Sequence, residues 1–412
     1  MKKTFKYLIF AALIAVTVFS FVIFGCKEPD KNGDEQNDPN VVVLKDIASN
    51  DIGSSAYSQK QPFNDITASE LVAGIKLGWN LGNTLDAGAS SSTPIADMET
   101  AWVKHKTNNE NIRTLRRAGF NTIRIPVSWA KTTSKANNFK IPDVWMARVT
   151  EIANYAVAYD MYVIINTHHD EGIFGFKDTN VQDGINAFSI IWGQIADNFK
   201  NYNEKLIFEA LNEPRTKGSS AEWSGGTKEE RDNINKYYAA FVEVVRKSGG
   251  NNNNRFLLLN PYAASAENAA MTGLVLPEDT ANKKLIVSYH HYAPYNFALN
   301  TNKTYNTWDK DKPSDIADIY NGVIRANSNF ISKGIPVIIG EFGAMNKNNE
   351  ETRAAWAEFY VGHARENGIP MVWWDNAIFE GNGELFGLLD RTTNKFPYPL
   401  VVNALLKGAG LQ

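Results

Sequence analysis

Leu206-Ile207-Phe208-Glu209-Ala210-Leu211-Asn212-Glu213-Pro214 and Pro336-Val337-Ile338-Ile339-Gly340-Glu341-Phe342-Gly343 are two short, mostly apolar runs that each finish on a glutamate. Continuous apolar runs of this length read as strands covered on both faces. Glu213 and Glu341 therefore stand where a strand gives way to a loop. In a closed parallel barrel all strands end on one face, so residues distant in sequence converge on a common cleft. Two convergent carboxyl groups are what cleavage of a glycosidic bond requires.

Working outward, six more runs have the same character: Lys76 to Leu81, Asn121 to Pro126, Met161 to Thr167, Arg255 to Asn260, Leu285 to His291 and Pro370 to Asp375. Helical periodicity lies between most of them. Ile112 and Leu115 precede Gly119, and Ile234, Tyr237, Tyr238, Phe241, Val244 and Val245 precede Gly249, at spacings of three and four closed by glycine. Pro142 opens a further helix through Val149, Ile152 and Ala156 as a first-turn proline. Strands alternating with helices over roughly 350 residues predict an α/β fold, a single (β/α)8 TIM barrel spanning residues 62–412.

The first 25 residues carry Lys2, Lys3 and Lys6, then an apolar run from Tyr7 to Phe24 and Gly25, which is the pattern of an export signal. Cys26 follows and is the chain's only cysteine. Ile23-Phe24-Gly25-Cys26 resembles a bacterial lipobox, which implies lipid attachment at Cys26 and a membrane-anchored protein facing the periplasm or cell exterior. An uncleaved membrane anchor is the other reading, because the run from Tyr7 to Phe24 approaches the about 20 residues that span a bilayer. From Lys27 to Asn40 no side chain can bury much apolar surface. Residues 26–61 are expected to be a flexible tether. With one cysteine the domain has no internal disulfide, so its core must stabilise it. Loss of the three signal lysines takes the formal charge from −3 to −6. A mildly acidic chain has no electrostatic reason to bind nucleic acid. A monomer is expected.

The strand ends hold a polar inventory that a merely structural barrel would not need. It comprises Asn80 and Asn83, Arg124, His168-His169-Asp170, Asn212-Glu213, His290-His291-Tyr292, Glu341, and Trp373-Trp374-Asp375-Asn376. Together with Gly78 to Asp86, Asn121 to Trp129, Phe208 to Arg215 and Ile339 to Gly343, these segments resemble glycoside hydrolase family 5, subfamily 4, in order and over nearly the whole of residues 62–412. The resemblance implies a retaining endo-β-1,4-glucanase with Glu213 as acid/base and Glu341 as nucleophile. It places Arg124, His168, Asn212, His290, Tyr292 and Trp374 at the other active-site positions and implies an open cleft. Asn83, His169 and Asn376 join Trp374 as expected sugar contacts. No metal or organic cofactor is implied, and the expected partner is a β-glucan polysaccharide.

Roles follow from what each step needs. A nucleophilic carboxylate must be ionised, so Glu341 requires donors, for which Arg124 and the Tyr292 hydroxyl are the candidates. The acid must hold a proton near neutrality, so Glu213 is expected to have a raised pKa. Arg124 could instead pair with another carboxylate. His169 and His291 could simply brace loops, and Trp373 is expected in the core, opposite to Trp374. Trp79, Trp129 and Trp308 line subsites or pack in the core. Asp170 stands where the subfamily usually has glutamate, which puts substrate preference on the glycone side in question. Ala377 replaces a glycine after Asn376. The segment Ile378 to Glu384 is expected to form a loop over the cleft.

Three other functions fit parts of the pattern. The same machinery could act on β-mannan or xylan. A barrel could bind glycans without cutting them. His168, His169, Asp170, His290 and His291 could be gathered into a metal-ligand set.

Overall fold

The computed structural model describes residues 38–88 and 93–412. The expected signal segment, Cys26 and the first part of the tether lie outside the described residues. Eight strands, β1 (Leu77–Leu81), β2 (Thr122–Ile125), β3 (Tyr162–Asn166), β4 (Leu206–Glu209), β5 (Leu257–Leu259), β6 (Leu285–His290), β7 (Val337–Phe342) and β8 (Met371–Asp375), close into one barrel in chain order. Every neighbouring pair is parallel, and β8 returns to β1 with Asn80 opposite Trp374. Each strand lies within two residues of its sequence expectation, and the expected (β/α)8 barrel is the fold.

Alternation along the strands explains both the closure and the site. Ile164, Ile207, Leu258, Ile286, Ile338 and Val372 face inward and pack with the helix Ala68–Gly74, whose Leu71 and Val72 close the end where the strands begin. Their neighbours, including Trp79, Ile123, Phe208, Val287, Ile339 and Trp373, face outward into the larger cluster beneath the helices. Two residues further along, the inward positions of β3 to β6 become Asn166, Glu209, Asn260 and Ser288, all fully buried. The barrel is thus apolar in its lower half and polar in its upper half. Buried polar atoms need partners, so the upper half is built as a hydrogen-bond network.

The helices Asn109–Ala118, Asp143–Ala158 and Lys228–Lys247 carry the expected periodicities. Pro142 caps its helix rather than occupying the first turn. Gly119, at φ 121°, supplies the turn out of its helix that an L side chain resists.

The tether expected through residue 61 is corrected by the structure, since residues 41–61 lie against the barrel's outer helices. Val42, Leu44, Ile47, Ala56 and Tyr57 pack on the core. Lys45 N donates to Arg117 O at 2.9 Å, and Asn154 Nδ2 reaches Gly53 O and Ser55 O at 2.7 and 3.0 Å. Asn403 Nδ2 binds Pro39 O and Val41 O at 3.0 and 2.9 Å. The apolar residues of this segment, at 42, 44, 47, 56 and 57, follow neither strand nor helix period over its length, and the segment has no regular secondary structure.

Candidate active site

The loops after the strands enclose a cleft of about 810 Å³ lined by both Glu213 and Glu341. One carboxylate oxygen from each, together with a ring nitrogen of His290, lie within 4.8 Å of one another. The loop after β4 and the end of β7 therefore bring Glu213 and Glu341 to one opening.

Arg124 holds the floor of the cleft. It is fully buried on β2, and each of its three nitrogens is spent. Nε and Nη2 fork onto Glu209 at 2.6 and 2.8 Å, Nη1 donates to Glu341 Oε1 at 2.7 Å and Asn80 Oδ1 at 2.9 Å, and Nη2 also reaches Asn212 Oδ1 at 2.7 Å. Both pairings considered from the sequence are present at once. Glu209 is one residue that sequence reading missed, although a glutamate inside the apolar run Leu206 to Leu211 calls for a buried partner. Burial lowers the Arg124 pKa, but the charges of Glu209 and Glu341 outweigh it, so the guanidinium stays charged. Asn80, through its Nδ2, ties the same network to Gly340 O, Val372 O and Trp373 O.

Glu341 also accepts from the Tyr292 hydroxyl at 2.9 Å on Oε2. Burial and the Glu341 charge push the Tyr292 pKa well up, so the phenol remains a donor. His290 Nδ1 lies 2.9 Å from Glu213 Oε1 and 3.5 Å from Glu341 Oε2, bridging the two acids. Arg215 Nη1 donates to Glu213 Oε2 at 3.0 Å.

These neighbours correct the expected acidities. Burial raises Glu213, yet the hydrogen bond and charge of His290, joined by Arg215, leave its pKa below the ordinary value. Burial raises Glu341 and the Glu213 charge adds to that, while His290, Arg124 and Tyr292 offset only part, so its pKa is raised. In the open cleft the order is the reverse of the expectation. The two acids titrate as a pair, because a proton on Glu213 removes one of the charges that raises Glu341.

The remaining predicted residues fall into three groups. His168, Trp374, Asn83 and His169 line the cleft. The His168 ring is parallel to Trp374 at 5.8 Å between centroids, and burial keeps the imidazole neutral. Asn376 also lines it, but its amide is committed to the backbone: Nδ2 donates to Glu384 O at 2.9 Å and Oδ1 accepts from Ile378 N at 3.1 Å. It holds the expected loop, of which Ile378, Gly383 and Glu384 form part of the cleft wall. Asp170 does not line the cleft; its Oδ1 accepts from Trp129 N and Ala130 N at 2.7 and 2.6 Å. Its shortened side chain braces the loop after β2. His291 is turned onto the Tyr360 hydroxyl, so the metal set considered from the sequence is not assembled.

Trp79 and Trp129 are fully buried, and Trp308 is buried; none lines the cleft, and Trp373 is core as expected. The cleft tryptophans besides Trp374 are Trp102 and Trp223, 43% and 64% exposed, which sequence reading passed over. For Trp223 the signal was composition: Ser219-Ser220-Ala221-Glu222-Trp223-Ser224-Gly225-Gly226 offers a tryptophan no large apolar neighbour to pack with. Two three-residue donor sets, Glu213-His290-Glu341 and Asp86-His168-His169, are compact enough for a metal ion.

Comparison with known proteins agrees with this geometry. The family described as "Cellulase (glycosyl hydrolase family 5)" matches residues 86–380. Endoglucanase B of Ruminococcus albus is 46% identical over 363 residues, covering 88% of this chain and 85% of that one. Endoglucanase B of Neocallimastix patriciarum is 43% identical, over 87% and 75%. Among solved structures, a GH5-4 broad specificity endoglucanase from Ruminococcus champanellensis with bound cellotriose superposes at a TM-score of 0.81 with 43% identity, covering 84% of this chain and all of that one. A family 5 lichenase from Caldicellulosiruptor sp. F32 gives 0.80 with 40% identity, over 89% and 99%. A closed barrel with two strand-end acids on one cleft, a family match across most of the domain and these identities place the chain in glycoside hydrolase family 5.

Proposed function

We infer that this endo-β-1,4-glucanase cuts β-glucans by double displacement, with Glu341 as nucleophile and Glu213 as acid/base. The observation that carries the reading is the close approach of the two carboxyl groups, with oxygens within 4.8 Å. Retaining enzymes place them about 5–5.5 Å apart, whereas inversion needs room for a water and about 6.5–9.5 Å. In the first step Glu341 forms a bond to the anomeric carbon as the bond to the glycosidic oxygen breaks, and the Glu213 proton goes to that oxygen. In the second, Glu213 takes a proton from water, whose oxygen displaces Glu341. Asn212, held by Arg124, is placed to bind the hydroxyl beside the anomeric carbon, and Trp374 offers a flat face to a pyranose ring. His290 and Tyr292 orient the two acids.

The relatives are named as broad specificity endoglucanases and lichenases, which supports action on cellulose, xyloglucan and mixed-linkage glucan alike. The sequence pattern around Cys26 supports an exported, lipid-anchored protein. Glu213→Gln is expected to lower kcat on polymer about 10²- to 10⁴-fold, and Glu341→Gln at least as far. Proton NMR of the first product should show the β-anomer. An α-anomer at the start of the reaction, or full activity in both variants, would end the double-displacement reading. Metabolic labelling with a fatty acid, lost in Cys26→Ala, tests the anchor.

A further inference from the structure

The loop between β4 and the helix Lys228–Lys247 contains an arrangement that the two-acid mechanism does not use. Arg215 is nearly buried beside the cleft, and its Nη1 donates both to Glu213 Oε2 and to Glu213 O, each at 3.0 Å. Its Nε donates to Glu222 Oε1 at 3.0 Å. The guanidinium lies 4.8 Å beneath the Trp223 ring centroid, and that ring is 64% exposed on the cleft wall. The Glu213 carboxyl is consequently held at both oxygens, by His290 on Oε1 and by Arg215 on Oε2. Leaving a tryptophan this exposed gains nothing for folding. A cation fixed beneath one face holds the ring in place and leaves the other face for a ligand.

We propose that Arg215 and Trp223 form a leaving-group device, in which Trp223 stacks the sugar unit that departs and Arg215 positions Glu213 to protonate it. The proposal rests on Glu213 being the acid/base. The acid's proton goes to the leaving oxygen, so a ring on the acid's own loop stands on the leaving-group side of the scissile bond. When that proton transfers, Glu213 becomes an anion, and Arg215 is the cation already in contact with it. Arg215 thereby favours the charged product of proton transfer, in keeping with its lowering effect on the Glu213 pKa. Glu222 shares the guanidinium charge and limits that effect.

The test compares two leaving groups in steady-state kinetics: a cello-oligosaccharide, whose departing sugar must be protonated, and 2,4-dinitrophenyl β-cellobioside, whose departing phenolate need not be. Arg215→Met is expected to lose about 10- to 100-fold in kcat/KM on the oligosaccharide, the worth of a charged hydrogen bond, and much less on the aryl glycoside. Its alkaline limb in kcat/KM should move to higher pH, and Arg215→Lys should recover part of the loss. Glu222→Gln, which returns the full cation to Glu213, should move the same limb to lower pH. Trp223→Ala should raise KM for the oligosaccharide far more than it lowers kcat. Equal losses on both substrates with an unmoved limb would make Arg215 a structural residue and overturn the proposal, as would an unchanged KM in Trp223→Ala. Glu213→Gln separates the two readings through kcat/KM, which reports the first step alone: if it spares kcat/KM on the aryl glycoside, the acid assignment stands whatever Arg215 does. If kcat/KM falls alike on both substrates, the acid assignment itself fails. Should Arg215→Met not fold, the opposite-signed shift in Glu222→Gln decides.

Discussion

His290 is the side chain on which both acids depend, since its ring nitrogen faces Glu213 and Glu341 together and lowers the pKa of each. His290→Phe keeps the volume and removes the donor. Both limbs of the pH–rate profile should then move to higher pH, in contrast to the single limb expected to move with Arg215. Asp170 supplies a different pH test. Burial raises its carboxyl to about 7 against backbone N–H bonds that lower it. A folded pKa above the unfolded value means that the native chain holds a proton the unfolded chain has lost, so stability from this group is complete below about pH 4 and falls as pH rises to about 7. Asp170→Asn keeps an oxygen for Trp129 N and Ala130 N and titrates nothing. Its unfolding free energy should lose that decline and exceed the parent's at pH 7 by at most on the order of 4 kcal/mol, measured by denaturant melts across the range.

At the scale of elements, the eight strands were readable because each is buried on both faces and bounded by breakers. The sites at their ends were readable because polar side chains terminate apolar runs. What escaped reading lay in connections. Trp102 and Trp223 sit on loops whose course depends on tertiary contacts, and Arg215 acquires meaning only when the chain folds it beneath Trp223. Glu213's acidity was misread for the same reason, because the neighbours that lower it come from β6 and from its own loop. Ala377 shows a local conflict that the sequence did hint at. It stands at φ 55° in the turn after β8, a left-handed conformation costing an L-residue about 1–2 kcal/mol. Ala377→Gly should raise stability by up to about 1 kcal/mol after glycine's extra chain entropy is counted, visible as a higher Tm. Because this turn leads into the cleft wall at Ile378, KM is the place to look for any compensating loss.

Across the whole molecule, the lower barrel is an apolar plug and the upper barrel a hydrogen-bonded platform, and residues 41–61 strap the outer helices. The strap's extent was not legible from sequence, because a segment that follows a surface shows no period of its own. A chain shortened to begin at Pro62 should still close its barrel. It lacks the five apolar side chains that pack on the core and uncovers the surface beneath them, and at about 1 kcal/mol each for half-burial it loses on the order of 5 kcal/mol. Thermal unfolding of the shortened and full domains measures this directly; equal melting temperatures would show the strap to be inert.

The contact of Asn403 with Pro39 and Val41 fixes where the polypeptide enters the domain: on its flank, against the last helix, with none of residues 38–61 bordering the cleft. The rim of the groove is therefore free of this strap, and a sugar chain drawn across it touches none of residues 38–61.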